Sequence, residues 1–183
     1  MNDTKPHGSE KHDAVELEPH RVEQALAALR DEQNPGIGVV AGALAALVGA
    51  GLWAAVTVMT GYQIGWMAIG VGVLIGLALR KAGKGIDRTF GFAGAGLALA
   101  GCLLGNLLAV CGFVSVQQSI PLLQVLGRMN PAVAVELLRA TFSPIDLLFY
   151  ALAVYEGYKL SFRQVTREEL SRHIPEMRDR IAA

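Results

Sequence analysis

Charge is missing from most of the middle of this sequence. No Asp, Glu, Lys or Arg occurs in residues 37–79 or in residues 89–127. A soluble domain scatters charge over the outer face of its amphipathic elements, so these runs exclude an ordinary soluble core. Cysteine is scarce as well. Cys102 and Cys111 stand nine residues apart in one apolar run. That is about 13 Å along a helix axis, beyond the reach of a disulfide, and they read as small buried apolar residues. The histidines His7, His12 and His20 match no zinc spacing and have no cysteine nearby, so no metal and no cofactor is expected. Basic and acidic residues number 16 each, which leaves no electrostatic argument for nucleic acid. Residues 1–34 carry eight acidic and four basic side chains and no apolar core. They are expected to be a retained cytosolic segment, not a signal peptide.

Where charge is absent, long apolar runs rich in glycine and alanine take its place. The pattern predicts an all-α, polytopic membrane protein with four transmembrane helices. Residues 37–59 are enough, at about 1.5 Å per residue, to cross about 30 Å of hydrocarbon. Gly38, Gly42, Ala46, Ala50 and Ala54 form a fourfold ladder on that span, of the kind that lets helix backbones approach closely in lipid. The second span, about 63–80, repeats the device with Ala68, Gly72 and Gly76. The third, about 90–113, has Gly94, Ala98, Cys102 and Asn106 on one face and Gly101, Gly105 and Ala109 on the next. The fourth, about 143–160, opens with Ser143 as N-cap, Pro144 in the first turn and Asp146 three residues on, a capping box.

The remaining segments read as short amphipathic helices. Residues 1–35 form a cytosolic segment, unstructured at first and then helical from about Glu18, with Val22, Leu26 and Leu29 on one stripe. Residues 36–162 are the membrane domain. Within it, residues 115–141 make an external loop of two short helices around the break at Gly127–Asn130. Residues 163–183 form a cytosolic amphipathic helix with a capping box at Thr166–Glu169, lying on the membrane surface or solvated.

The basic residues set the orientation. Four lie before residue 35, four in the connector (Arg80, Lys81, Lys84, Arg88) and six from Lys159 onward, against Arg128 and Arg139 alone on the other side. The positive-inside rule then places both termini in the cytoplasm. Trp53, Tyr62 and Trp66 are expected at the outer boundary, with Phe90, Phe92, Tyr155, Tyr158 and Phe162 at the inner one.

Polar groups within this membrane domain are few. Asn106 is expected to hydrogen-bond another helix, Gln63 of the neighbouring span being one partner, or to line a pathway. Asp146 has its local role in the cap. Glu156, near the inner boundary, is expected to pair with Lys159, Arg80 or Lys81. Arg80, Lys81, Lys84 and Arg88 are candidate contacts for anionic lipid headgroups. The "GKG" of the connector lacks the spacing and the Ser/Thr of a phosphate-binding loop. Asp146 and Glu156, about 15 Å apart on one helix, are too distant to share a proton, and no nucleophilic or metal-ligating constellation is present, so no enzymatic activity is expected.

Three stretches, GYQIGWMAIGVGVLIGLALRKAGKGID, FGFAGAGLALAGCLLGNLL and SPIDLLFYALAVYEGYKLSFR, span residues 61–163. In them the chain resembles a family of uncharacterised small bacterial inner-membrane proteins. The resemblance implies a bacterial inner-membrane location and no catalytic residues. Some members carry an N-terminal cysteine-rich zinc module, and this chain has no cysteine there. The function expected is that of a non-enzymatic scaffold or accessory subunit, associating with itself or with another membrane protein through its small-residue faces. The alternative is a small oligomeric channel or transporter, with Gln63, Asn106, Asp146 and Glu156 as lining groups.

Overall fold

The computed structural model describes residues 19–165. Among them the chain is helical, with no strand. The helices are α1 (Pro19–Asp31), α2 (Pro35–Thr60), α3 (Trp66–Gly83), α4 (Arg88–Gln118), α5 (Leu122–Gly127), α6 (Pro131–Thr141) and α7 (Pro144–Leu160). Three of them, α2, α3 and α4, are long and apolar enough to cross a membrane, and the pair α6–α7, bent by 109°, makes a fourth if it counts as one span. His7 and His12, and the capping box of the C-terminal tail, lie outside the described residues, whereas His20 falls in the first turn of α1.

Contacts divide the chain into two units, Leu29–Gln164 and the remainder, with α1 crossing the boundary. Leu29–Gln164 is built on α2, α3, α4 and α7. The central pair α3 and α4 touch each other, and both touch α2 and α7. No Cα of α2 comes within 8 Å of a Cα of α7, so these two flank the central pair on opposite sides. α2 and α4 run in one direction, α3 and α7 in the other. One end of the bundle carries the α3–α4 connector, the other carries α5 and α6.

The small-residue ladders explain how four helices close so tightly. A Cβ built on Gly38 would come within 3.0 Å of the Gly83 Cα, so α2 and α3 meet backbone to backbone. A Cβ on Gly72 would strike the Ala153 carbonyl, and one on Gly94 the Gly157 carbonyl; these contacts seat α7 against α3 and α4. Close approach of this kind maximises dispersion contact between helices where lipid removes the hydrophobic drive. Gly38, Gly42, Ala46 and Ala50, Ala68, Gly72 and Gly76, and both predicted faces of α4 are buried. Ala54 is half-buried. Gly51, Gly70 and Gly96 face open space. The ladders are therefore used inside one chain. The opposite face of α2 presents Ile37, Val40, Leu44, Leu47 and Leu52, each more than half exposed, a continuous apolar surface compatible with insertion in a membrane.

Several boundaries differ from the sequence expectation, each for a local reason. α2 begins at Pro35, because the Asn34 Oδ1 accepts the Ile37 N–H at 3.0 Å and caps the helix. α3 begins only at Trp66, so Gln63 lies in a non-helical connection and not in a span. Gly61 ends α2 in the left-handed region at φ 72°. With 18 residues against 26, α3 is about 12 Å shorter than α2, and residues 61–65 join the two as a non-helical connection. α4 runs on to Gln118, taking the first residues of the expected external loop.

Candidate functional site

The chemistry-bearing residues fall into two places, one at each end of the bundle. Toward the α5–α6 end, a line of polar groups enters the interior. Gln63 is exposed, and its Nε2 donates to the Asn106 Oδ1 at 3.5 Å. Asn106 is 1% exposed, and its Nδ2 donates to the Tyr150 hydroxyl at 3.2 Å. That hydroxyl donates to the Cys102 carbonyl at 3.4 Å, and the Cys102 thiol faces the Ala68 carbonyl at 3.8 Å. The expected contact between Asn106 and Gln63 is thus present, and the stronger partner of Asn106 is Tyr150 on α7. One turn before Tyr150, the Asp146 carboxylate accepts the Ser143 N–H at 2.8 Å, completing the predicted capping box.

Trp53 belongs to this region too. The sequence places it in a boundary belt, but it is 1% exposed. Its ring stands edge to face with Tyr150, centroids 6.3 Å apart, because it continues the inward face set by Gly42, Ala46 and Ala50, and Gly105 leaves it room. Tyr62 and Trp66 are exposed as a belt requires. Phe90 departs from the other belt, since it is buried over Gly83 and Gly85, while Phe92 and Tyr155 remain exposed. The signal for Trp53 and Thr57 was in the sequence, as the next inward positions on α2. The role of Tyr150 was not, since nothing local marks it.

At the connector end, three chain segments are stitched together. The Gln33 Oε1 accepts the N–H groups of Ile86 and Asp87 at 2.8 and 3.2 Å, and its Nε2 donates to the Asp87 carboxylate at 3.0 Å. Arg30 pairs with Asp87 at 3.2 Å. The Asn34 N–H donates to the Gly83 carbonyl, and the Arg163 N–H to that of Gly85. Arg163 also pairs with Glu32 at 3.1 Å. Sequence spacing could not show this clasp, since its paired members lie 49 or more residues apart. It explains why Leu29–Asn34 and Arg163–Gln164 belong to the bundle unit, although sequence composition separates them from it.

Lys81, Lys84 and Arg88 are exposed at this clasp and Arg80 is half-buried. Among the described residues, none of the four lies within 4 Å of a carboxylate. Glu156 corrects an expectation: it is half-buried and forms no ion pair with Lys159, Arg80 or Lys81. Lys159 lies instead over the Tyr155 ring, 5.4 Å from its centroid, a cation–π contact. Glu156 is therefore not brought to Gln63, Asn106 and Asp146.

Two clefts lie elsewhere. One of about 310 Å³ runs between α2 and α4, lined by Gly51, Ala55, Val58, Leu108 and Gly112. The other, about 200 Å³, separates the end of α4 from α5 and α6. Both are apolar in character, and neither contains the polar line. Among the described residues no group of three metal-ligating side chains occurs. No family model, curated protein or solved structure matches the chain.

Proposed function

We propose that the chain is a bacterial inner-membrane protein that crosses the bilayer four times, with both termini in the cytoplasm, and acts as a non-enzymatic scaffold or accessory subunit. The observation that carries this reading is the use of its groups. The glycine faces close α3, α4 and α7 backbone to backbone, and the buried polar side chains Asp146 and Ser161 serve helix ends. A bundle held this way is a rigid platform. The basic connector, its single acid engaged by Arg30 and Gln33, leaves Lys81, Lys84 and Arg88 for anionic lipid headgroups on the cytoplasmic side.

The bias of basic residues supports the orientation, and the resemblance over residues 61–163 supports the bacterial inner membrane. Because the ladders face other helices of the same chain, association with a second copy or another membrane protein would use the outward faces of the spans or the terminal segments. The second reading, an oligomeric channel or transporter, rests on the polar line from Gln63 to Tyr150.

Isolation of the protein from native membranes under mild detergent, with its mass measured intact, tests the reading. A stoichiometric complex is expected. A lone monomer, together with liposome flux that is lost in Asn106→Leu, would replace the scaffold by the transporter. Orientation has its own test: in a Cys102→Ala/Cys111→Ala background, Ser119→Cys should react with an impermeant thiol reagent in intact cells, and Lys84→Cys only after permeabilisation.

A further inference from the structure

Two polar atoms inside the bundle have no hydrogen-bond partner on the protein, Trp53 Nε1 and Thr57 Oγ1. Each residue is 1% exposed. They sit one turn apart on the inward face of α2. Helical threonines commonly turn the hydroxyl back to the carbonyl four residues earlier. Thr60 does so to Val56 and Thr141 to Leu137, yet Thr57 does not. Buried N–H and O–H groups left without a partner are rare, since desolvation without a compensating bond is costly. Two in succession on one helix face mark a place for a hydrogen-bonding guest.

The surroundings match that requirement. The Trp53 ring packs on Gly105, and Asn106 follows it. Asn106 uses one amide hydrogen on Tyr150 and one carbonyl lone pair toward Gln63. An amide group offers two of each, so one donor and one acceptor remain. Trp53 offers a donor, and Thr57 a donor and an acceptor. These groups lie where α2 and α7 are separated by more than a backbone contact. Gln63, exposed at the α5–α6 end, donates to Asn106. Toward the connector end the interior turns apolar: Ala98, Ile75 and Leu79 are wholly buried, and Gly94 meets Gly157.

We propose that Trp53 Nε1 and Thr57 Oγ1, with Asn106 beside them, form an internal water site, reached from the α5–α6 end past Gln63 and closed below Cys102. The water accepts the indole N–H and exchanges a hydrogen bond with the Thr57 hydroxyl, the pattern that internal waters satisfy. The wholly buried Ala98, Ile75 and Leu79 side chains below it offer a water no hydrogen-bond partner, so the site admits water to the bundle without passing it through. This goes beyond the scaffold reading and does not depend on it.

The test uses the full-length protein in lipid nanodiscs, with nitrogen-15 in its two tryptophans, Trp53 and Trp66, and Trp66→Phe to assign the signals. Magnetisation is transferred selectively from water to the indole N–H. Transfer to Trp53 is expected in the unmodified protein, retained in Thr57→Ser and lost in Thr57→Val, which keeps the shape without the hydroxyl. Gln63→Leu should slow deuterium exchange at the same N–H. The proposal is overturned by an absence of transfer in the unmodified protein, by transfer that persists in Thr57→Val, by loss in both Thr57 variants, or by unchanged exchange in Gln63→Leu.

Discussion

Trp53 stands edge-on to Tyr150, their planes at 89°, and this pair joins the two bundle helices whose backbones do not approach each other. α2 and α7 are each tied to the central pair by glycine contacts, but to one another by this aromatic contact. Phe142 extends it, its ring 6.0 Å from that of Tyr150.

The contact sets a first prediction. Trp53→Ala removes the largest wholly buried side chain among the described residues and should cost about 3–5 kcal/mol. Trp53→Phe, which keeps an aromatic edge toward Tyr150, should cost clearly less. Equilibrium unfolding in mixed micelles measures both, and equal losses would deny the bridging role.

The hydrogen bond beside it is a separate quantity. Tyr150→Phe removes the acceptor of the Asn106 amide and should cost about 1 kcal/mol, in the range of hydrogen bonds between membrane helices. A double-mutant cycle with Asn106→Leu should return a coupling of similar size. Additive losses would mean that the two side chains do not act together.

Glycine substitutions divide by facing. Gly72→Ala and Gly94→Ala place a methyl against backbone carbonyls that cannot turn aside, and should destabilise by about 1–3 kcal/mol. Gly70→Ala and Gly96→Ala, with open space around them, should be neutral or slightly stabilising, since alanine favours helix. Thermal unfolding of the four variants in one detergent decides the matter.

The clasp at the connector has a kinetic signature. Gln33→Ala strips the acceptor from two N–H groups and a donor from Asp87, and should lower local stability by about 1–3 kcal/mol. Limited trypsin digestion should then cut at Lys81, Lys84 or Arg88 faster than in the unmodified protein. An unchanged digestion rate would show that Asn34 and Arg163 hold the connector by themselves.

The exposed cations predict a lipid preference. Replacing Lys81, Lys84 and Arg88 together by Gln should reduce retention of phosphatidylglycerol through purification, with phosphatidylcholine unaffected. Quantifying co-purified lipid by mass spectrometry checks this, and equal retention of the anionic lipid would remove the connector from headgroup binding.

Much of this protein was determined by sequence alone, because its signals are local. Uncharged runs of helical length, a Ser–Pro–x–Asp cap and fourfold glycine spacing each act within one helix, and their periods state which face turns inward. Asn106 was legible as a helix-linking residue because a lone amide in an apolar run must find a partner. What that partner is, only tertiary structure decided: Tyr150 sits 44 residues away, and no local pattern selects it over Gln63. The same limit applies to the ring that Trp53 meets, Tyr150, and to Glu156, left without the ion pair that spacing offered. It applies also to Gln33 and Asp87, 54 residues apart, which no local pattern pairs. Small-residue ladders show that a backbone will approach, but not whose. Here the approaching backbones belong to the same chain, because four helices with small-residue faces can satisfy one another before any partner is met.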